Sequence, residues 1–135
     1  MLELNLPYLN IAVEEYEGMM YSEWIRQPTH EEHLEGISKI VEFLQRYAIS
    51  HWIKDSTLLT WLPLESMKQE LRQILPAITT SSLKKIACLV TRDFDYMALF
   101  VTIMKEENIV VNTPIDARQF RTYKAAADWI ADIRA

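Results

Sequence analysis

The sequence contains few of the residues that build nucleotide-binding loops, disulfides and metal sites. Its only glycines are Gly18 and Gly36, so it has no glycine-rich loop of the kind that cradles phosphates. Cys88 is the only cysteine and lies in an apolar run, which predicts an inert buried thiol rather than a disulfide or a nucleophile. His30 and His33 lack the spacing of zinc-peptidase helices and are expected to be solvated. No metal ion or other cofactor is therefore predicted.

Long apolar runs and an export signal are also missing. No apolar run approaches the ~20 residues that a membrane-spanning helix needs. No basic segment followed by an apolar one opens the chain, so nothing indicates secretion and the cytoplasm is the expected location. The length of 135 residues is that of one ordinary domain, and residues 1–135 are interpreted as a single folded unit.

Positive charge is scarce in the first part of the chain. Residues 1–35 contain eight glutamates and one basic residue, Arg26, a net charge of −7, whereas the remainder has 11 acidic and 13 basic residues, a net charge of +2. No cluster of lysine and arginine with interleaved aromatic residues occurs, so nucleic-acid binding is not expected. The acidic part is interpreted as a solvated surface, with a docking surface for a basic partner as the alternative.

The apolar pattern predicts several strands. An unbroken apolar run at residues 86–90 is typical of a central strand that is covered on both faces of a sheet. Residues 10–16 and 19–25 predict a β-hairpin, because Gly18 can adopt the positive φ that a tight turn requires. Two further strands are predicted at residues 50–54 and 109–111. Residues 2–6 are interpreted as either a short edge strand or an ordered tail and are not counted among the strands below.

Helices are predicted between these strands. Thr29 and Glu32 form the pattern of a capping box, so a helix is expected to begin there and to run to about Tyr47. The other predicted helices begin after Pro63, Asp93 and Thr122. The resulting order ββαβαβαβα predicts an α/β fold, with a mixed, mostly parallel sheet that opens with a hairpin.

Several stretches of this chain resemble a known protein family. They are, in chain order, Trp24 with Thr29 and Glu32, then Trp52-Ile53-Lys54-Asp55, then Leu83-Lys84-Lys85-Ile86-Ala87, and finally Phe120, Ala126 and Trp129-Ile130. Together these resemble the small bacterial SpoIIAA-like proteins, which are relatives of the STAS domains, over nearly the whole chain. The resemblance implies a (βα) superhelix on one sheet and a non-enzymatic module that binds regulatory partner proteins.

The resemblance also bears on one serine. Some STAS domains are switched by phosphorylation of a serine in an Asp-Ser-Ser-Gly type loop. In this chain Asp55 and Ser56 match the start of that motif, but the glycine is missing and the next predicted helix begins five or more residues later. An ordinary serine at a strand end is therefore favoured over a phosphoacceptor at Ser56.

Four polar residues form the predicted binding site. Asp55 and Ser56 follow one predicted strand, and Arg92 and Asp93 follow another, so all four are expected at carboxyl ends, where open α/β sheets bind ligands. The favoured alternative is that Asp93 only caps a helix. No nucleophile, base and acid occur in a recognisable catalytic pattern, so the chain is not predicted to be an enzyme.

The third predicted helix has two apolar lines. The first faces the sheet, and the second consists of Tyr96, Leu99 and Ile103, spaced i, i+3 and i+7. This second line is either covered by the neighbouring helix or forms a homodimer contact.

The sequence therefore predicts a non-enzymatic regulatory or protein-interaction domain whose partner is another protein or a second copy of itself. The alternative function is binding of a small, lipid-like apolar ligand. The four tryptophans and six methionines could line a pocket for such a ligand, although most of them lie at positions typical of core residues.

Overall fold

In a computed structural model, the described part of the chain comprises residues 1–59, 63–90, 95–109 and 115–132, and of Tyr96 only the backbone. The strands are β1 (Leu2–Asn5), β2 (Leu9–Glu14), β3 (Met19–Trp24), β4 (His51–Asp55), β5 (Lys85–Leu89) and β6 (Asp116–Phe120). The helices are α1 (His30–Arg46), α2 (Leu64–Thr79), α3 (Tyr96–Glu106) and α4 (Tyr123–Ala131). The predicted α/β fold and element order are confirmed. None of the described helices is both long and apolar enough to cross a lipid bilayer.

The six strands form one sheet in which they lie in the order of the sequence. The pairs β1–β2 and β2–β3 are antiparallel, whereas β3, β4, β5 and β6 pair in parallel. Gly18 has a φ of +66° in the turn between β2 and β3, which confirms the predicted hairpin. The sheet is therefore mixed, as the sequence indicates.

The helices cover the two faces of the sheet unequally. Because the parallel strands advance in one direction, right-handed crossovers place α1, α2 and α3 on the same face. They enclose the main core there, which includes the fully buried Trp24, Ile37, Trp52 and Ile74. On the opposite face α4 packs across β4, β5 and β6, and Ala126 lies in a second, smaller cluster. The strand β5 is thus covered on both faces, as predicted, although it is next to the edge strand β6 rather than central.

The start of α1 confirms the predicted capping box. The Glu32 backbone N–H donates to Thr29 Oγ1 at 3.1 Å, and the Thr29 N–H donates to Glu32 Oε1 at 2.9 Å. Arg26 adds two hydrogen bonds of 2.9 and 2.8 Å to the same Glu32 carboxylate. The capping box thus provides acceptors for two backbone N–H groups that would otherwise lack partners at the helix start. Glu32 also lies where the helix dipole favours a negative charge.

Two predicted boundaries differ from the structure. The last strand is Asp116–Phe120, whereas Ile109 has no regular secondary structure and residues 110–114 lie outside the described part. This strand is polar because it forms the partly exposed edge of the sheet, so it lacks the apolar run on which the prediction relied. Helix α3 begins at Tyr96, with Asp95 at its N-cap, where Asp95 Oδ1 accepts from the Ala98 N–H at 3.0 Å. The cap is therefore two residues later than the predicted Asp93.

Candidate functional site

Asp55 lies at the carboxyl end of β4, as predicted, but its carboxylate is used within the chain. Asp55 Oδ2 accepts from the Tyr21 hydroxyl at 3.0 Å. Asp55 Oδ1 accepts from the Thr57 N–H at 3.0 Å and from the Thr57 hydroxyl at 2.7 Å, which is an Asx turn that closes the strand. The side chain is buried on the face that α4 covers in part. These contacts indicate that Asp55 stabilises the end of the strand.

Ser56 belongs to a different group of side chains, on the helix-covered face. Lys54 Nζ donates to Ser56 Oγ at 3.2 Å and to Glu70 Oε2 at 3.3 Å. His33 Nε2 lies 3.7 Å from Glu70 Oε1. We call His33, Lys54, Ser56 and Glu70 the polar cluster. It connects α1, β4 and α2 inside the main core, where ionised groups are costly unless they are paired.

The charges in the polar cluster stabilise the ionised form of Glu70. Burial acts to raise the pKa of Glu70, but the charge and hydrogen bond of Lys54 and the nearby His33 imidazole outweigh it and lower that pKa to about 2. Nearby, burial raises the pKa of the Cys88 thiol to about 11, with a lowering effect of Lys54 and a raising effect of Glu70. Cys88 is the inert buried thiol that the sequence predicts.

The described part of the chain contains only two of the four predicted site residues. Asp55 and Ser56 are consecutive but make their contacts on opposite faces of the sheet, and Arg92 and Asp93 lie outside the described residues. A cavity of about 70 Å³ borders His33 and the start of α1. It has room for about two water molecules at about 30 Å³ each. Within the described ranges, no group of three or more histidine, cysteine, aspartate or glutamate side chains could hold a metal ion.

Sequence reasoning missed most of the polar cluster. The expectation of a solvated His33 is wrong, because the imidazole is buried and packs against Trp24, with 5.3 Å between the ring centroids. One signal was available for Glu70. It interrupts the apolar stripe of α2, three residues after Met67 and four before Ile74, and a charged residue at such a position indicates a buried partner.

The predicted homodimer contact on α3 also needs correction. Leu99 and Ile103 are buried within a single chain and belong to the main core, while the side chain of Tyr96 lies outside the described part. Helix α3 packs against α2, so the alternative in which a neighbouring helix covers this line is the one the structure supports. Val101, on the other side of the helix, is exposed. Leu99 and Ile103 therefore do not present a surface to a second chain.

A different surface remains accessible on the sheet. Alternate residues of β1, β2 and β3 point away from α1. Helix α4 reaches only as far as β3, where Tyr123 makes an edge-on contact with Tyr21, with 5.8 Å between the ring centroids. No described helix covers the strands beyond that contact. We call this surface the open face; its residues are Glu3, Asn5, Asn10, Ala12, Glu14, Met19, Tyr21 and Glu23.

The open face is negatively charged. Glu3, Glu14 and Glu23 lie on it, and within residues 1–59, 63–90, 95–109 and 115–132 none of the three forms an ion pair. Glu23 is the register partner of Asp55 on the adjacent strand. Burial and the charge of Asp55 raise the pKa of Glu23, although the nearby Tyr21 hydroxyl opposes them. Burial is the larger cause of this shift, and the negative charge of Asp55 adds to it.

Comparison with known proteins does not identify a family. No family model, no curated protein and no solved structure matches this chain. The resemblance to the SpoIIAA-like proteins therefore stays a prediction. The α/β architecture agrees with the predicted fold class, but an architecture does not by itself specify a function.

Proposed function

We propose that this protein is a non-enzymatic interaction module of the SpoIIAA-like type that binds a basic protein partner through the open face. The observation that carries this proposal is the unneutralised negative charge of Glu3, Glu14 and Glu23 on a sheet surface that no described helix covers. Complementary charge speeds encounter and selects partners of opposite sign. A surface of this kind favours lysine-rich or arginine-rich protein segments and repels nucleic acids.

The polar cluster supports a non-enzymatic role. Lys54 and Glu70 are paired with each other inside the core, and Asp55 accepts three hydrogen bonds from its own chain. A catalytic group needs access to a substrate, and these groups are directed at one another instead. Their arrangement supports the interpretation that they fix α1 and α2 to β4.

The test of the proposed function is charge reversal on the open face. Glu3→Lys/Glu14→Lys is compared with Glu42→Lys/Glu106→Lys, which changes net charge equally on exposed positions of α1 and α3. Fluorescence anisotropy with a labelled oligolysine peptide measures affinity at low and at physiological salt. We expect the open-face variant to bind at least about tenfold more weakly than the control variant. Equal losses in both variants would show that net charge alone, and not the open face, attracts the peptide.

One observation favours the alternative function, binding of a small apolar ligand. A groove of about 620 Å³ runs beside the end of α3 and is lined by Val101, Met104, Lys105, Asn108 and Ile109. Residues of this type suit an acyl chain or another flexible apolar group. Native mass spectrometry of the purified protein tests this alternative, because a bound ligand adds a discrete mass that Val101→Glu should remove.

A further inference from the structure

Strand β1 ends the sheet with backbone groups that point outward. The turn after β1 is closed by hydrogen bonds between Leu6 and Leu9, at 2.9 and 3.4 Å. Hydrogen-bonded and non-hydrogen-bonded pairs alternate in an antiparallel ladder, so Leu4 and Leu2 direct their N–H and C=O groups to β2. Glu3 and Asn5 then direct theirs away from the sheet. No described strand lies beyond β1, so these groups can receive another strand.

The side chains of β1 are also incompletely covered. Leu2, Leu4 and Leu6 lie on the α1 side, where Leu4 and Leu6 pack against the main core but are only half-buried, and Leu2 is 38% exposed. A strand added beside β1 would place its own apolar side chains next to this leucine row. The edge therefore offers both backbone hydrogen bonds and apolar area.

The opposite side of the same edge favours cations. Glu3 and Asn5 project onto the open face, next to the strand that carries Glu14. At the amino-terminal end of β1 lies a hollow of about 440 Å³, lined by Met1, Leu2, Glu14, Glu15 and Tyr16. Tyr16 is 98% exposed. A hollow lined by an aromatic ring and two carboxylates suits a lysine or arginine side chain, which gains both ion-pair and cation–π contacts.

We propose that the partner binds as an extended segment that pairs with the outer edge of β1 and alternates basic with apolar residues. Its basic residues face Glu3 and the hollow, and its apolar residues face the leucine row, because successive side chains of a strand point to opposite faces. This inference rests on the proposed function, in which the open face recognises a basic partner. A second copy of the chain fits less well, because it would bring together two regions with a net charge of −7 each.

Two peptides of the same composition test the mode of binding. One alternates lysine with valine, and the other has the same residues in two blocks. Affinity is measured by fluorescence anisotropy, and hydrogen exchange of the protein amides is followed by NMR. We expect the alternating peptide to bind at least about tenfold more tightly and to protect the amide protons of Glu3 and Asn5.

Matched variants separate the backbone contribution from the charge. Asn5→Pro removes an outward N–H without removing a hydrogen bond to β2, and proline is tolerated at such edge positions. Asn5→Ala keeps that N–H and serves as the control. We expect Asn5→Pro, but not Asn5→Ala, to abolish the preference for the alternating peptide. The alternating peptide with N-methyl groups on every second residue makes the same test on the unaltered protein, because methylation of the amides that face β1 removes the donors.

The outcomes distinguish the two proposals. If neither peptide binds, the proposed function itself is overturned. If both peptides bind equally, and neither Asn5→Pro nor N-methylation matters, a basic partner is still recognised but strand addition to β1 is wrong. If the protein is a dimer in light scattering that Asn5→Pro converts to a monomer, a second copy occupies the edge and the basic-segment proposal is overturned.

Discussion

Lys54 Nζ lies 3.3 Å from Glu70 Oε2 in the interior of the protein, where the two side chains are only 4% and 1% exposed. The residues come from β4 and α2, so the ion pair connects the sheet to a helix that covers it. A buried ion pair stabilises little relative to apolar residues of the same volume, but loss of one partner leaves an uncompensated buried charge.

The first prediction concerns this ion pair. Lys54→Met should lower the free energy of unfolding by about 3 to 5 kcal/mol, because it leaves the Glu70 carboxylate buried without its closest cation. Lys54→Met/Glu70→Leu should recover most of that loss, since neither charge then remains. Urea denaturation measures both. The exposed pair of Lys39 and Glu42 is the control, and Lys39→Met should change stability by less than about 0.5 kcal/mol.

The second prediction is a pH dependence that comes from Glu70. Its pKa is about 2 in the folded protein and near 4.5 in the unfolded chain, so the unfolded state binds its proton first as the pH falls. The stabilisation is complete above pH 4.5 and is lost as the pH falls towards 2. Urea denaturation at several pH values should show that Glu70→Gln, although less stable at neutral pH, loses less stability over this window than the parent protein. Parallel losses in the two proteins would contradict the lowered pKa.

The third prediction uses the close approach of Trp24 to α1. A Cβ added at Gly36 would overlap an atom of the Trp24 ring, so Gly36→Ala forces the indole to move. We expect a net loss of about 1 to 2 kcal/mol, because strain of about 1 to 3 kcal/mol exceeds the gain in helix propensity of up to about 1 kcal/mol. In the Trp24→Phe background the shorter ring should reduce or reverse this loss. Urea midpoints of the four proteins give the coupling between the two positions.

The fourth prediction tests the start of α1. Thr29→Ala removes the side-chain oxygen that accepts from the Glu32 N–H and should cost about 1 kcal/mol without altering the fold. Ser38→Ala is a suitable control, because the Ser38 hydroxyl donates to Leu34 O within the helix and caps nothing. A Thr29→Ala protein as stable as the parent in urea would show that the cap contributes no stability.

The fifth prediction follows from the burial of Leu99. Leu99→Glu places a carboxylate in the main core and should lower the melting temperature strongly or prevent folding. Val101→Glu makes the same chemical change two residues later, where the side chain is 50% exposed, and should leave the circular dichroism and melting temperature almost unchanged. A folded, stable Leu99→Glu protein would mean that this side of α3 is accessible after all.

Local patterns in the sequence were sufficient for several elements. The capping box at Thr29 and the turn at Gly18 involve residues that contact their near neighbours in the chain, so their chemistry could be recognised without a fold. The apolar run of β5 indicated burial on both faces for the same reason. The acidic first part was also evident, but the position of Glu3, Glu14 and Glu23 on an uncovered sheet face depends on where α4 ends.

The features that were missed depend on how distant elements pack. Lys54 and Glu70 are 16 residues apart, and only the packing of α2 on β4 brings their charges together. The two apolar lines of α3 are similar in composition, so the sequence could not specify which of them faces the core. In the structure it is the line of Leu99 and Ile103, because α2 and β6 lie on that side.

The order of the strands has a consequence for how the protein folds. Every strand pairs with the strand that precedes it in the chain, so each new pairing closes only the short loop or the single helix between them. Contacts between near neighbours in sequence favour rapid folding. During synthesis each strand after β1 therefore leaves the ribosome later than a strand with which it pairs.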